Sequence, residues 1–240
     1  MAENADVAWR GDTPVCSQYD DVYFSAQNGL AETEHVFLQG NNLPERFKKA
    51  NTFTIGELGF GTGLNFLAAM QLWQKNHPDS RGKTFNFISC EKYPLKYADM
   101  EHIVAVMEDK IPNTKEYWQV WKGIVPDTKV VPQKGWHILK IGQGRLHLYV
   151  GDVLEMLATM PQKADAWFLD GFSPAKNPAM WQPEVFQAVA EQSAADATLA
   201  TFTAAGHVRR SLQAAGFKVA KVKGYGHKRD MTVGNLCDTI

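Results

Sequence analysis

The chain has 240 residues, 45% of them hydrophobic, with 25 Lys plus Arg against 26 Asp plus Glu and a formal net charge of −1. That length suits one elaborated α/β domain better than two ordinary ones, and the balanced charge excludes a globally basic nucleic-acid binder, so any basic surface must be local. Cys16, Cys90 and Cys237 are too few and too scattered for a disulfide framework or a zinc pattern, and the seven histidines form no ligand-spaced cluster, so no metal is expected. The start, Met1-Ala2-Glu3-Asn4-Ala5-Asp6, is acidic and unlike a secretory signal. No apolar run approaches the ~18 residues of a membrane span. A cytoplasmic protein with no membrane partner is the expectation.

Residues 1–50 read as an N-terminal arm packed on a main domain of residues 51–240. In the arm Val22-Tyr23-Phe24 is β-prone, Gly29 punctuates, and Leu43-Pro44-Glu45-Arg46-Phe47 starts a helix with proline at an early position. Tyr23 and Phe24 either reach a ligand or pack at an edge. Phe53-Thr54-Ile55 then opens a strand that runs into Glu57-Leu58-Gly59-Phe60-Gly61-Thr62-Gly63, and a helical apolar pattern follows at Leu64, Leu67, Ala68 and Leu72. Glycine at every second position allows positive φ and close approach of the backbone to a ligand, and the turn feeds a helix N-terminus. The spacing is not the dinucleotide fingerprint, because Leu64 stands where its third glycine belongs, and the Walker lysine is absent. What stands is acid-x-Gly-x-Gly-x-Gly.

A break at residues 76–80 precedes a second strand, Phe85-Asn86-Phe87-Ile88-Ser89-Cys90, which ends on Glu91. A carboxylate there is placed to accept from both hydroxyls of a ribose, or is a strand-end acid in solvent. Residues 94–144 are longer than one crossover needs. Tyr97, Tyr117, Trp118, Trp121 and Trp136 are interleaved there with lysines, a pattern that fits base stacking and equally a satellite hydrophobic cluster. Residues 136–141 and 145–150 read as a hairpin whose second arm is a sheet strand. Asp152 then caps a helix carrying Val153, Leu154 and Leu157.

The strand at residues 164–169 delivers Asp170-Gly171-Phe172-Ser173-Pro174-Ala175-Lys176-Asn177-Pro178, a constrained loop with an acid at the strand's carboxyl end. Carbonyl and carboxylate acceptors in such a loop can orient an amine's lone pair. A free alkylamine has a pKa of about 10, so a site that uses one as a nucleophile must remove its proton, and Asp170 is the candidate. A proline-rich connection with a capping Asp is the plain alternative. Pro183 opens another helix, residues 197–202 a fifth strand, and residues 206–215 a helix stopped by Gly216. Residues 217–223 alternate as a strand with one core face and one row of lysines. With Arg209, Arg210, His227, Lys228 and Arg229 this is the densest positive charge in the chain, either a phosphate patch or a solvated face. Residues 231–236 form the final strand.

The glycine segment resembles the first motif of class I S-adenosylmethionine methyltransferases, and the Asp170 loop is similar in layout to the Asp/Asn-Pro-Pro-aromatic loop of amino-methyltransferases. Taken with Phe168-Leu169 ahead of that loop and the late Gly224-Tyr225-Gly226-His227-Lys228-Arg229-Asp230-Met231, the chain from about residue 21 to 236 resembles the methyltransferase domain of the MnmC family. The resemblance implies a Rossmann-like class I methyltransferase fold, α/β, with a mostly parallel sheet of about seven strands, helices on both faces, the N-terminal arm and an insertion around 94–144. It implies S-adenosyl-L-methionine as cofactor, with Gly59, Gly61 and Gly63 in the turn, Glu57 near the cofactor's amino group, Glu91 on the ribose, Asp152 on the adenine, and Asp170 with Phe172 at the acceptor. Tyr23, Phe24, Pro174, Lys176, Asn177, Lys228 and Arg229 are the implied substrate contacts. The implied reaction is N-methylation of the 5-aminomethyl group of wobble (2-thio)uridine in tRNA. Bifunctional members of that family continue into an FAD-dependent oxidase domain, so such a domain or a separate protein is an expected partner of a chain ending at Ile240. Two other functions compete: a small-molecule amine methyl- or aminopropyltransferase, and a non-catalytic nucleic-acid-binding module.

Overall fold

The computed structural model describes residues 3–24, 28–108, 110–124 and 132–237, without the side chains of residues 123 and 124. The first two residues of the arm, residues 125–131 of the expected insertion, and Ile240 lie outside the described residues.

The arm opens with a small antiparallel sheet of β1 (Val7–Arg10), β2 (Thr13–Cys16) and β3 (Asp21–Val22). It docks where Ala5 N–H donates to the Pro94 carbonyl at 3.0 Å and Trp9 Nε1 donates to Asp99 at 3.1 Å. α1 (Gly29–Thr33) passes directly into a π-helical segment (Glu34–Gln39), a rare form that collects at functional sites. α2 (Leu43–Lys49) has Pro44 in its first turn, where a missing N–H costs nothing.

β4 (Thr52–Leu58) and α3 (Leu64–Asn76) flank the glycine turn. After β5 (Thr84–Glu91) come α4 (Tyr97–Glu108) and α5 (Thr114–Ile124), then the hairpin of β6 (Gly135–Ile141) and β7 (Gly144–Val150). Next follow α6 (Val153–Ala158), β8 (Ala164–Phe168), a 3-10 turn (Pro178–Trp181), α7 (Pro183–Glu191), β9 (Ser193–Thr201), α8 (Gly206–Ala214), β10 (Phe217–Lys223) and β11 (Asp230–Leu236).

The large sheet has the order β10-β11-β9-β8-β4-β5-β7-β6. Its five inner strands, β9, β8, β4, β5 and β7, are mutually parallel, and antiparallel strands close both ends. The reason is in their composition: Phe53 to Leu58 and Phe85 to Cys90 are buried at every position, which is the pattern of strands covered on both faces. α1 to α5 and the π-helical segment cover one face around Phe66, Trp73, Phe87 and Trp121; α6 to α8 cover the other around Trp167, Phe186 and Leu199. The sheet carries eight strands, in line with the expected count of about seven, since both arms of the hairpin pair into it and β6 becomes an edge.

One expectation changes, and one reading that stood open is narrowed. The lysines of β10 do not form one row: Lys218 shares a face with Ala220 and Val222, while Lys221 and Lys223 share the other with Phe217 and Val219, since residues two apart face the same way. The aromatics of residues 94–144 are packing groups in large part, with Tyr117 and Trp121 buried in the core and Trp121 stacked on Phe60 at 5.8 Å between ring centroids.

What places the site is registry. Leu58 pairs with Cys90 and Glu91 with Val150, so the carboxyl ends of β4, β5 and β7 finish level, with β8 alongside. Chain order reverses across β4, which is the switch point where open α/β sheets bind ligands.

Candidate functional site

Beyond β4 the backbone takes positive φ at Gly59 (+93°), Gly61 (+55°) and Gly63 (+79°). At Gly59 the requirement is contact: a Cβ would stand 2.5 Å from the carbonyl oxygen of Asp170. The glycine turn and the end of β8 therefore touch, on the same edge of the sheet. Gly63 serves a different purpose from the one expected. A Cβ there would lie 2.6 Å from the hydroxyl of buried Tyr117, which donates to the Thr62 carbonyl at 3.0 Å, so this glycine admits a tyrosine, not a ligand.

A cavity of about 470 Å³ opens beside Gly59 and Gly61, within the size range of small-molecule sites. Of the sequence candidates, Tyr23, Phe24, Gly59, Gly61, Glu91, Asp152, Asp170, Phe172, Asn177 and Lys228 line it. Glu57, Gly63, Pro174, Lys176 and Arg229 do not.

Glu57 is fully buried one layer below the cavity wall. Its Oε1 accepts from Asn65 Nδ2 at 2.9 Å and its Oε2 from Ser89 Oγ at 2.7 Å. Burial, with the charge of Asp170 added, holds its carboxyl well above the usual carboxylate range. Glu57, expected near a cofactor amino group, thus meets the cavity only through Asn65, which lines it. Lys176 reaches back to the arm, donating to the Asp20 carbonyl and pairing with Asp21 at 3.7 Å. Asp21 also accepts from Ser173 N–H at 2.9 Å, so the arm is clasped to the Asp170 loop. Arg229 is almost wholly exposed, 4.0 Å from the Asp230 carboxylate, and is not part of the cavity lining.

Glu91 sits where β5 ends and accepts from Gly61 N–H and Tyr93 N–H, both at 2.9 Å. Burial raises its carboxyl above the usual value, and the backbone donors of Tyr93, Gly61 and Lys92 offset only part of that rise. Asp152 caps α6 by accepting from Leu154 N–H at 3.0 Å and faces Lys92 at 3.4 Å. Asp170 is different. Burial pushes it up to about 7 against the hydrogen bond from Asn65, whose Nδ2 stands 2.6 Å from its Oδ2. Phe172 completes an aromatic wall with Tyr19 at 4.9 Å and Tyr23 at 5.3 Å, and Trp181 Nε1 holds its carbonyl at 2.8 Å.

Sequence reasoning assigned nothing to Asn65, Glu32 or Tyr19. Asn65 spends one amide hydrogen on Glu57 and the other on Asp170, while Thr33 Oγ1 donates to its Oδ1 at 2.8 Å, which fixes the amide orientation. A polar residue inside the apolar start of a helix was the available signal, because buried polar groups are almost always bonded. Glu32 and Tyr19 come from the arm and carried no local sign.

These residues fit S-adenosyl-L-methionine by chemistry. The bare backbone at Gly59 and Gly61 allows close approach, the carboxylates of Glu91 and Asp152 offer acceptors with spare lone pairs for hydroxyl and amino groups, and Asp170 supplies an acid beside the glycine turn for a ligand that carries a sulfonium and an ammonium.

Comparison with known proteins bears on the same point. Residues 115–236 match the family model described as S-adenosyl-L-methionine-dependent methyltransferase. The chain is 45% identical over 240 residues to the tRNA 5-methylaminomethyl-2-thiouridine biosynthesis bifunctional protein MnmC of Stutzerimonas stutzeri, taking in 98% of this chain and 35% of that protein. It is 47% identical over 235 residues to the protein of the same name from Aeromonas hydrophila, with 94% and 34% covered. The chain thus spans about a third of the length of these relatives. Among solved structures, MNMC2 from Aquifex aeolicus has the same fold, with a TM-score of 0.70 at 24% identity over 99% of this chain and 72% of that one.

Proposed function

The chain belongs to the S-adenosyl-L-methionine-dependent methyltransferases, and from that premise we propose that its acceptor is the amine of 5-aminomethyl(-2-thio)uridine at the tRNA wobble position, converted to 5-methylaminomethyl(-2-thio)uridine. The observation that supports this reading is the contact between the glycine turn and Asp170, which brings a carboxyl raised to about 7 into one cavity with the bare backbone of Gly59 and Gly61. The names of the relatives supply the substrate class.

When bound, S-adenosyl-L-methionine supplies an electrophilic methyl on sulfur. Gly59 and Gly61 would hold its methionine end, Glu91 would accept from the ribose hydroxyls with the lone pairs that Gly61 and Tyr93 leave free, and Asp152 with Leu154 would meet the adenine. Glu57 supports that end through Asn65. The aromatic wall of Tyr19, Tyr23 and Phe172 suits a flat, unstacked base of the kind a single-stranded loop presents. Phe24 and Asn177 complete the lining around it.

Asp170 is the proton acceptor. Out of water and near the positive sulfur that the bound cofactor would supply, the acceptor's ammonium would become more acidic, and Asp170 would take its proton so that the lone pair is free to attack. Pro174 and Lys176 act on this step by shaping the loop and tying it to the arm, not by touching the base. In the same reading residues 1–50 and 51–240 are arm and methyltransferase domain. The enzyme works in the cytoplasm, and an FAD-dependent oxidase, fused or separate, releases the amine it needs.

The test is transfer of a tritiated methyl group to undermodified tRNA, beside calorimetric titration with S-adenosyl-L-methionine. Transfer to tRNA bearing 5-aminomethyluridine and none to tRNA lacking it supports the reading. Equal turnover of free amines would move the function to small molecules, and cofactor binding without any transfer would make the chain a binding module.

A further inference from the structure

One charge pair in the cavity is not used by the chemistry above. Glu32 stands on α1 and lines the cavity, and its carboxylate accepts from Lys228 Nζ at 2.7 Å. Lys228 belongs to the connection between β10 and β11 and lines the same cavity. Both charges are felt at Asp170, Glu32 raising its affinity for a proton and Lys228 lowering it. The two side chains keep 29% and 50% of their surface in water, so the pair is one of the weak, exchangeable kind. The same Lys228 ammonium also lies 4.7 Å from the centre of the Phe202 ring, a second partner that does not depend on Glu32.

An alkylammonium is what Glu32 already holds, and an alkylammonium is what the acceptor brings. We propose that Glu32 is the specificity-determining residue for the acceptor, reading its aminomethyl group in the ammonium form, and that Lys228 occupies Glu32 until that group displaces it. The inference rests on the tRNA amine reading above and adds to it the group that tells the modified base from plain uridine. Glu32 keeps its charge throughout; Asp170 accepts the proton that leaves the nitrogen. A wobble uridine without the aminomethyl group brings no cation, and the Glu32–Lys228 pair stays closed.

The experiment measures, by fluorescence anisotropy with saturating S-adenosylhomocysteine, binding of two anticodon stem-loops, one with 5-aminomethyluridine and one with uridine at the wobble position. The expected result is that the wild-type protein prefers the aminomethyl RNA, and that Glu32→Gln cuts the preference at least tenfold while its affinity for the uridine RNA is unchanged. Lys228→Ala should retain or widen the preference, since it uncovers Glu32. The double variant Glu32→Lys with Lys228→Glu keeps a salt bridge between the same two elements and should lose the preference. If that swap retains it, or if Glu32→Gln and Lys228→Ala weaken both RNAs alike, the pair is only a strut and the proposal is overturned. A wild-type protein that binds both RNAs equally also overturns it while leaving the methyl-transfer assay standing; one that binds neither removes the tRNA reading and this inference together.

Discussion

Glu91 and Asp170 stand at equivalent places, each at the carboxyl end of a parallel strand with β4 between them, and both open to one cavity. Burial raises both, yet their hydrogen-bond donors differ. Glu91 is opposed by backbone N–H groups of three residues that cannot move away, whereas Asp170 has one side-chain amide, with the repulsion of Glu32 set against the attraction of Lys228. Fixed backbone dipoles favour the charged form and suit a carboxylate that binds hydroxyls. A carboxyl left near 7 suits one that trades protons.

The largest expected effect comes from removing the exchangeable carboxyl. Asp170→Asn keeps the shape and should lower methyl transfer by roughly 10²- to 10⁴-fold, with cofactor affinity by calorimetry within a few-fold of wild type. Next is the other carboxylate: Glu91→Gln should weaken cofactor binding about 10- to 100-fold while turnover at saturating cofactor stays within a few-fold. If the two variants exchange phenotypes, the division of labour drawn here is wrong.

Titration sharpens the contrast. With Asp170 as acceptor, kcat/KM should fall about tenfold per pH unit below about 7, and Asp170→Asn should abolish that limb. The sign for stability is opposite. Asp170 binds its proton more tightly folded than unfolded, so its contribution is complete below the ordinary value of 3.8 and is lost as pH rises through about 7. Thermal melts of Asp170→Asn should lack that decline. Asn65→Ala removes the bond that lowers Asp170 and should move the kinetic limb to higher pH, a shift that a general loosening of α3 would not produce. Smallest of all, Arg229→Ala and Lys218→Ala should each leave turnover at low salt near wild type and reduce the salt slope of tRNA binding by about 1 or less.

Much of this site could be read along the chain. The strand, glycine turn and helix from Thr52 to Asn76, the acid ending β5, the Asp152 cap and the Asp170 loop all lie where local pattern put them. The β10 lysines were misread for want of counting parity: Lys218 is even and Lys221 and Lys223 are odd, so no pleated strand can line them up.

Local sequence determined which elements form and which residues end them, because turn glycines, caps and strand-end acids act within a few residues of themselves. Depth and partnership were decided only in three dimensions. Glu57 became a buried acid because Asn65 and Ser89 close over it, Gly63 had to be bare because Tyr117 arrives from α5, and Glu32 and Tyr19 joined the cavity because the arm folds back across it. Each of these meetings spans many residues of chain, except the Asn65 bond, and is set by which faces pack together, a property that no short window of sequence contains.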